Sequence, residues 1–213
     1  MKIALIGATG FVGTALVGEA LQRGHRVTAI VRHPEKVQKQ PNLSARAVDA
    51  RDPAQVKAAV TGHDAVISAY NPGWKNPDIY EEHLRGSRAI LEGVRQAGVR
   101  RVIVIGGAGS LEVAPGVQLV DTPQFPAEWK AGALAAREVH REILRERELE
   151  WTFVSPAALL EPGPRTGKYR VGGDQLLMSG SAPARISVAD LAVAIVDELE
   201  KPRHIRKRFT AAY

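Results

Sequence analysis

Short runs that are apolar almost throughout alternate along this chain with longer stretches in which apolar residues recur every three or four positions. "KIALI" (2–6), "RVTAIV" (26–31), "LSARAV" (43–48), "DAVISA" (64–69), "RVIVIG" (101–106) and "WTFVS" (151–155) have the length and β-branched content of strands. Several have no polar face, as expected of parallel strands covered on both sides. Between them the helical period predicts helices over 11–23, closed by Gly24, and over 78–97, closed by Gly98. Another is predicted over 126–148, opened by Pro126 and carrying Ala135, Val139 and Ile143 on one face. A last one carries Val188, Leu191, Ala192, Ile195 and Leu199 and is opened by Ser187 with Asp190 three residues on, a capping box. Alternation of this kind predicts an α/β fold: one Rossmann-like, doubly wound parallel sheet with helices on both faces, a single domain over 1–213.

Two connections are too long for turns. Residues 107–125 and 157–186, rich in Gly and Pro, follow strands at the carboxyl edge, where open α/β sheets bind ligands; we read them as pocket walls.

Composition narrows the class. The chain has 213 residues, 45% of them hydrophobic, which is enough for one domain with a large core. No stretch approaches about 18 consecutive apolar residues, so no membrane span is expected. Met1 and Lys2 lead straight into the first strand, so we expect no secretory leader and a cytoplasmic location. The absence of cysteine excludes disulfides, thiolate metal sites and cysteine nucleophiles, and no His/Asp/Glu cluster has metal spacing. The net charge of +6 favours anionic ligands. Its densest source, "KPRHIRKR" (201–208), reads as a solvated tail beside a final strand, and without zinc-finger spacing or aromatic interleaving no nucleic-acid partner is expected. The helices at 78–97 and 126–148 are either solvated or paired across a homo-oligomer interface.

The chemistry starts at "LIGATGFVG" (5–13). Gly7 ends a strand, Gly10 and Gly13 open a helix, and the unit is βαβ. In a dinucleotide site the first glycine allows the turn, the second admits a pyrophosphate to the backbone, and the third lets helix and sheet close up. The helix N-terminus then offers N–H groups to the anion, with Thr9, Phe11 and Val12 completing the turn. After the second strand, where a carboxylate would bind the ribose 2′-hydroxyl of NAD, the chain reads "VRHPEK". Arg32 and Lys36 there suit a 2′-phosphate, so NADP(H) is expected in preference to NAD(H).

With these motifs the chain resembles the atypical short-chain dehydrogenase/reductase superfamily. Within it, the chain is similar to the small NAD(P)H-binding proteins described as NADH–flavin reductases or biliverdin reductase B-like. "GATGFVG", "VDARD", "DAVISAYN", "VIVIGGAGSL", "TGKYRVGGDQLL" and "RISVADLAVAIVDELE" carry the likeness over the whole length. The resemblance implies that Asp49 and Ala50 lie against the adenine, and that Ala69, Tyr70 and Asn71 line the ribose and diphosphate. It further implies Gly106 and Gly107 beneath the nicotinamide ribose, and Pro156 and Ala157 facing the carboxamide. From the residues alone, Asp49 and Asp52 also suit capping of a helix begun by Pro53, and Pro156 suits a strand end.

The chain departs from the wider superfamily on the helix "PAEWKAGALAAREVHREIL". Many members carry a Tyr-x-x-x-Lys proton donor there; this helix has Trp129 and Lys130 but no tyrosine. That removes the usual general acid for alcohols and sugars, a contribution of roughly 10²–10⁴-fold. Reduction of a free flavin, bound as substrate rather than as a prosthetic group, or of another planar acceptor (quinone, azo or tetrapyrrole compound) needs mainly stacking and exclusion of water. Ser110 in "GGAGSL" is the candidate catalytic hydroxyl and Trp74 a candidate wall for the planar acceptor, each with a plain packing role as the alternative. His140 reads as structural. Two further functions fit the same turn: a redox sensor resembling NmrA-like proteins, and an atypical sugar-nucleotide epimerase or dehydratase.

Overall fold

The computed structural model describes residues 1–213. All six apolar runs are strands: β1 (Lys2–Ile6), β2 (Arg26–Val31), β3 (Leu43–Ala47), β4 (Ala65–Ser68), β5 (Arg101–Ile105) and β6 (Glu150–Pro156). Two more complete the sheet, β7 (Arg170–Gly172) and β8 (Lys207–Ala212), in the order β7-β8-β6-β5-β4-β1-β2-β3. Seven strands run parallel, and β7 closes one edge antiparallel to β8, so the sheet is mostly rather than wholly parallel. The strand order reverses beside β1, which opens a crevice at the carboxyl ends of β1 and β4.

Helices α1 (Phe11–Gln22) and α5 (Val188–Glu200) cover one face. Helices α2 (Pro53–Val60), α3 (Ile79–Gln96) and α4 (Ala127–Ile143) cover the other. Strand alternation divides the core accordingly: Ile3, Leu5 and Val154 pack toward α1 and α5, while Ala4, Ile6 and Phe153 pack toward α2–α4. Asp52 caps α2 through its side chain and Ser187 caps α5, as the sequence predicts. Helix α4 stops at Ile143, short of the expected 148. The chain tightens through i→i+3 bonds, and the Glu146 carboxylate then accepts the Glu148 and Leu149 N–H groups.

The two long connections are built rather than open. Residues 107–125 hold a 3₁₀ turn (Ala108–Ser110) and an antiparallel pair of Glu112–Ala114 with Val117–Gln118. Residues 157–186 contain β7, a strand Leu159–Glu161 beside Arg185–Ser187, and a small hairpin. The connections are stitched together: the Glu112 N–H donates to the Asp174 carbonyl and the Leu176 N–H to the Glu112 carbonyl, both at 2.8 Å.

The basic segment 201–208 is largely solvated and leads into the final strand, as expected, but it is held in place rather than loose. Buried Glu198 accepts from the backbone N–H groups of Arg203 and His204 and from the Arg101 guanidinium (3.0 Å), which folds the segment against α5. Burial pushes the Glu198 carboxyl up, and its bonds with His204 and these N–H groups outweigh that and lower it. Arg208, within β8, is buried.

Candidate functional site

The corner after β1 shows three glycines with three separate duties. Gly7 has φ +79°, and a Cβ there would stand 2.4 Å from the Ala69 carbonyl oxygen. A Cβ on Gly13 would stand 2.1 Å from the Gly7 carbonyl oxygen. Both positions are therefore dictated by the protein's own packing. Gly10 is different: a Cβ would meet only that same oxygen, at 3.3 Å, on an ordinary backbone. The protein's own packing asks far less for a glycine there than at Gly7 or Gly13, although the Gly7 carbonyl would have to give by a few tenths of an ångström, and a bare Cα leaves the backbone open to a ligand. Gly10 is the N-cap of α1, with no side-chain cap and no acidic residue in the first turn. The first N–H groups and the positive end of the helix are thus left for an anion.

Beside this corner lies a cleft of about 360 Å³. It brings together Gly7, Thr9, Gly10, Arg32, Asp49, Ala50, Ala69, Tyr70 and Asn71, contributed by the ends of β1, β2, β3 and β4. Arg32 and Lys36 line it and make no ion pair, so their positive charge is free for a ligand. At the other wall Asp49 is held by Arg51 (2.9 Å), which also reaches Glu82 (2.9 Å). Bonds from the Arg51 side chain and backbone bring the Asp49 carboxyl down to about 2. The Tyr70 ring packs against the bare backbone of Gly86, and its hydroxyl donates to the Glu82 carbonyl. Burial, with the Glu82 charge, raises its pKa; the hydroxyl proton is committed to that carbonyl, and the ring serves as a wall of the cleft.

The remaining sequence-predicted residues stand outside the cleft. Phe11 is exposed, Val12 is half-buried and Gly13 is buried in the turn. Gly106 yields its space to the Phe153 ring, which a Cβ would meet at 2.1 Å. Gly107 faces only the Ala136 methyl at 3.8 Å. Pro156 is buried in β6, and the Ala157 methyl belongs to the core under α1 and α5. Trp74 is 57% exposed, with one edge of its ring over Gly132 of α4. Ser110 is only 2% exposed, and its hydroxyl oxygen accepts from Arg208 at 2.9 Å. His140 packs its ring on Phe153 (4.7 Å). Burial, with a contribution from the Arg208 charge, depresses it to about 4, so it is a neutral structural residue. Sequence reasoning missed Arg51, Glu82 and Arg208. For Arg208 the signal was present, because "KRFTAA" alternates and places 208 and 210 on one face of a strand.

This geometry has known counterparts. The sequence pattern of the NAD(P)H-binding family matches residues 7–199, from the first glycine to the end of α5. The chain belongs to the NAD(P)H-binding family. It is an atypical short-chain dehydrogenase/reductase. A Bacteroides thetaiotaomicron structure described as a candidate epimerase is 45% identical, with TM-score 0.93, covering 100% of this chain and 96% of that one. A Burkholderia pseudomallei structure described as a candidate exported protein is 47% identical, with TM-score 0.90, over 100% of both chains. A Streptococcus pneumoniae structure described as a candidate NADH–flavin reductase is 38% identical, with TM-score 0.86, over 100% of this chain and 99% of that one. The family thus spans reductase-like and epimerase-like descriptions. No helix here is long and apolar enough to cross a membrane.

Proposed function

We propose that this protein is an NADPH-dependent reductase of free flavin or a similar planar acceptor such as a quinone, azo compound or tetrapyrrole. One observation carries the reading: α4, the helix on which many short-chain dehydrogenases carry their proton donor, has no tyrosine, and the residues it turns toward Trp74 and the 107–110 segment are small. Gly132 lies under Trp74, Ala133 against Gly109 and Ala136 opposite Gly107. None of these can protonate an alcohol oxygen, which a flat acceptor that delocalises charge does not need. Bound NADPH would supply the hydride. The chain's residues hold and orient: the α1 N-terminus and Gly10 take the pyrophosphate, and unpaired Arg32 and Lys36 take the 2′-phosphate. The acceptor stacks beyond Gly107 and Ser110, near Trp74.

The test is to mix purified protein with NADPH and FMN, then with a quinone, and to follow the near-ultraviolet absorbance of the reduced nucleotide. Turnover well above the protein-free rate supports the reading. Tight NADPH binding with no oxidation across flavins and quinones rejects it in favour of a redox sensor.

A further inference from the structure

Ser110 and Arg208 are 98 residues apart in sequence and meet in the interior. The Arg208 Nη1 donates to both the Ser110 hydroxyl (2.9 Å) and the Ser110 carbonyl (3.1 Å), and its Nε donates to Asp174 (2.8 Å). One side chain therefore ties together the turn after β5, the loop 157–186 and β8. The guanidinium is almost wholly buried, whereas the Asp174 side chain is 62% exposed. A second nitrogen, Nη2, also donates to Asp174 (2.5 Å), so the ion pair fixes the outer side of the guanidinium and leaves Nη1 aimed at Ser110. On the same sheet face, Ser155 and Thr210 are adjacent cross-strand partners. Both are fully buried, and neither hydroxyl has a hydrogen-bond partner.

We infer that Arg208 is a positioning residue that makes the Ser110 hydroxyl a one-way donor toward the acceptor, an inference that rests on the reductase reading above. A guanidinium has no acceptor site, so the serine proton cannot point back at it. No protein group takes that proton; Ser110 is only 2% exposed, but it lies in the turn after the carboxyl end of β5, the edge where the proposed acceptor stacks, and the proton is left to that acceptor's carbonyl or ring nitrogen. As hydride arrives on the acceptor, negative charge develops there. A donor already oriented and polarised by a buried cation stabilises that charge without reorganising. Arg208 itself touches neither cofactor nor acceptor.

The test is a double-mutant cycle of Arg208→Met and Ser110→Ala, read as kcat with FMN and as NADPH affinity. Each single variant should lower kcat roughly tenfold to a hundredfold, with NADPH Kd within about twofold of wild type. The double variant should be no worse than the lower single variant, since both lose the same oriented hydroxyl. Arg208→Lys, which keeps a charged donor, should recover much of the loss. If Arg208→Met does not fold, the cycle runs with Arg208→Gln, whose carbonyl can accept the serine proton; it should lower kcat in the wild-type background and have no further effect in the Ser110→Ala background. Multiplicative losses, or loss of NADPH binding in step with kcat, would overturn the inference while leaving the reductase reading in place. A wild-type protein that binds NADPH yet reduces no acceptor removes both.

Discussion

The two ends of the site are made in opposite ways. The nucleotide end is made of backbone: three glycines, a bare helix N-terminus and the tips of four adjacent strands, mostly read from contiguous motifs. The proposed acceptor end is made of side chains that travel far to meet, Ser110 to Arg208 and Trp74 to Gly132, beside connections that hold each other in place. Backbone sites accept what is common to all nicotinamide nucleotides. Side-chain sites can be retuned, which agrees with relatives of one fold carrying both reductase and epimerase descriptions.

The sharpest way to break this contrast is at the turn. Gly13→Ala would place a methyl 2.1 Å from the Gly7 carbonyl oxygen, and we expect loss of soluble protein or of all NADPH binding, seen by thermal unfolding and calorimetry. Acid comes next and strikes both ends. Burial holds His83, on the inner face of α3, at about 4, and His140 is held at about 4 as well. The unfolded chain takes up their protons near pH 6.5 and the folded one does not. Stability is therefore complete above that pH and falls as pH drops toward 4, by up to about 3 kcal/mol for each histidine. Urea titrations between pH 7 and 4.5 should show this slope, reduced in His83→Gln; an equal slope in both proteins contradicts it.

Gly10→Ala separates fold from ligand. It should fold with a Tm within about 5 °C of wild type and yet bind NADPH at least roughly tenfold more weakly. Equal losses in Gly10→Ala and Gly13→Ala would show that all three glycines serve packing alone. Arg32→Ala should weaken NADPH about tenfold and leave NADH nearly unchanged, the signature of a lost 2′-phosphate contact. The smallest effect belongs to the acceptor end: Trp74→Ala should raise KM for the acceptor about threefold without changing NADPH affinity. A change in NADPH affinity instead would move Trp74 to the nucleotide end.

The same contrast explains what could be read from the residues. Apart from the end of α4, the predicted strands and the helices given bounds came out within a residue or two, because period and glycine stops are local signals, as at Gly24 and Gly98. The glycine corner was legible for the same reason. The helix end at Ile143 was missed because a carboxylate three residues further on decides it. Arg208 was grouped with a charged run although it shares a strand face with Thr210, and the pairing of β8 with β6 turns that face into the protein. Gly106 carried the glycine of a ligand site, yet it makes room for Phe153.

The bonds that Glu112 makes with Asp174 and Leu176 have an evolutionary corollary. Two segments some sixty positions apart in sequence form one continuous strip, so neither can drift in length or shape on its own. Acceptor preference should pass between homologues only when both segments are grafted as a pair, and a chimera carrying one alone should lose the strip altogether.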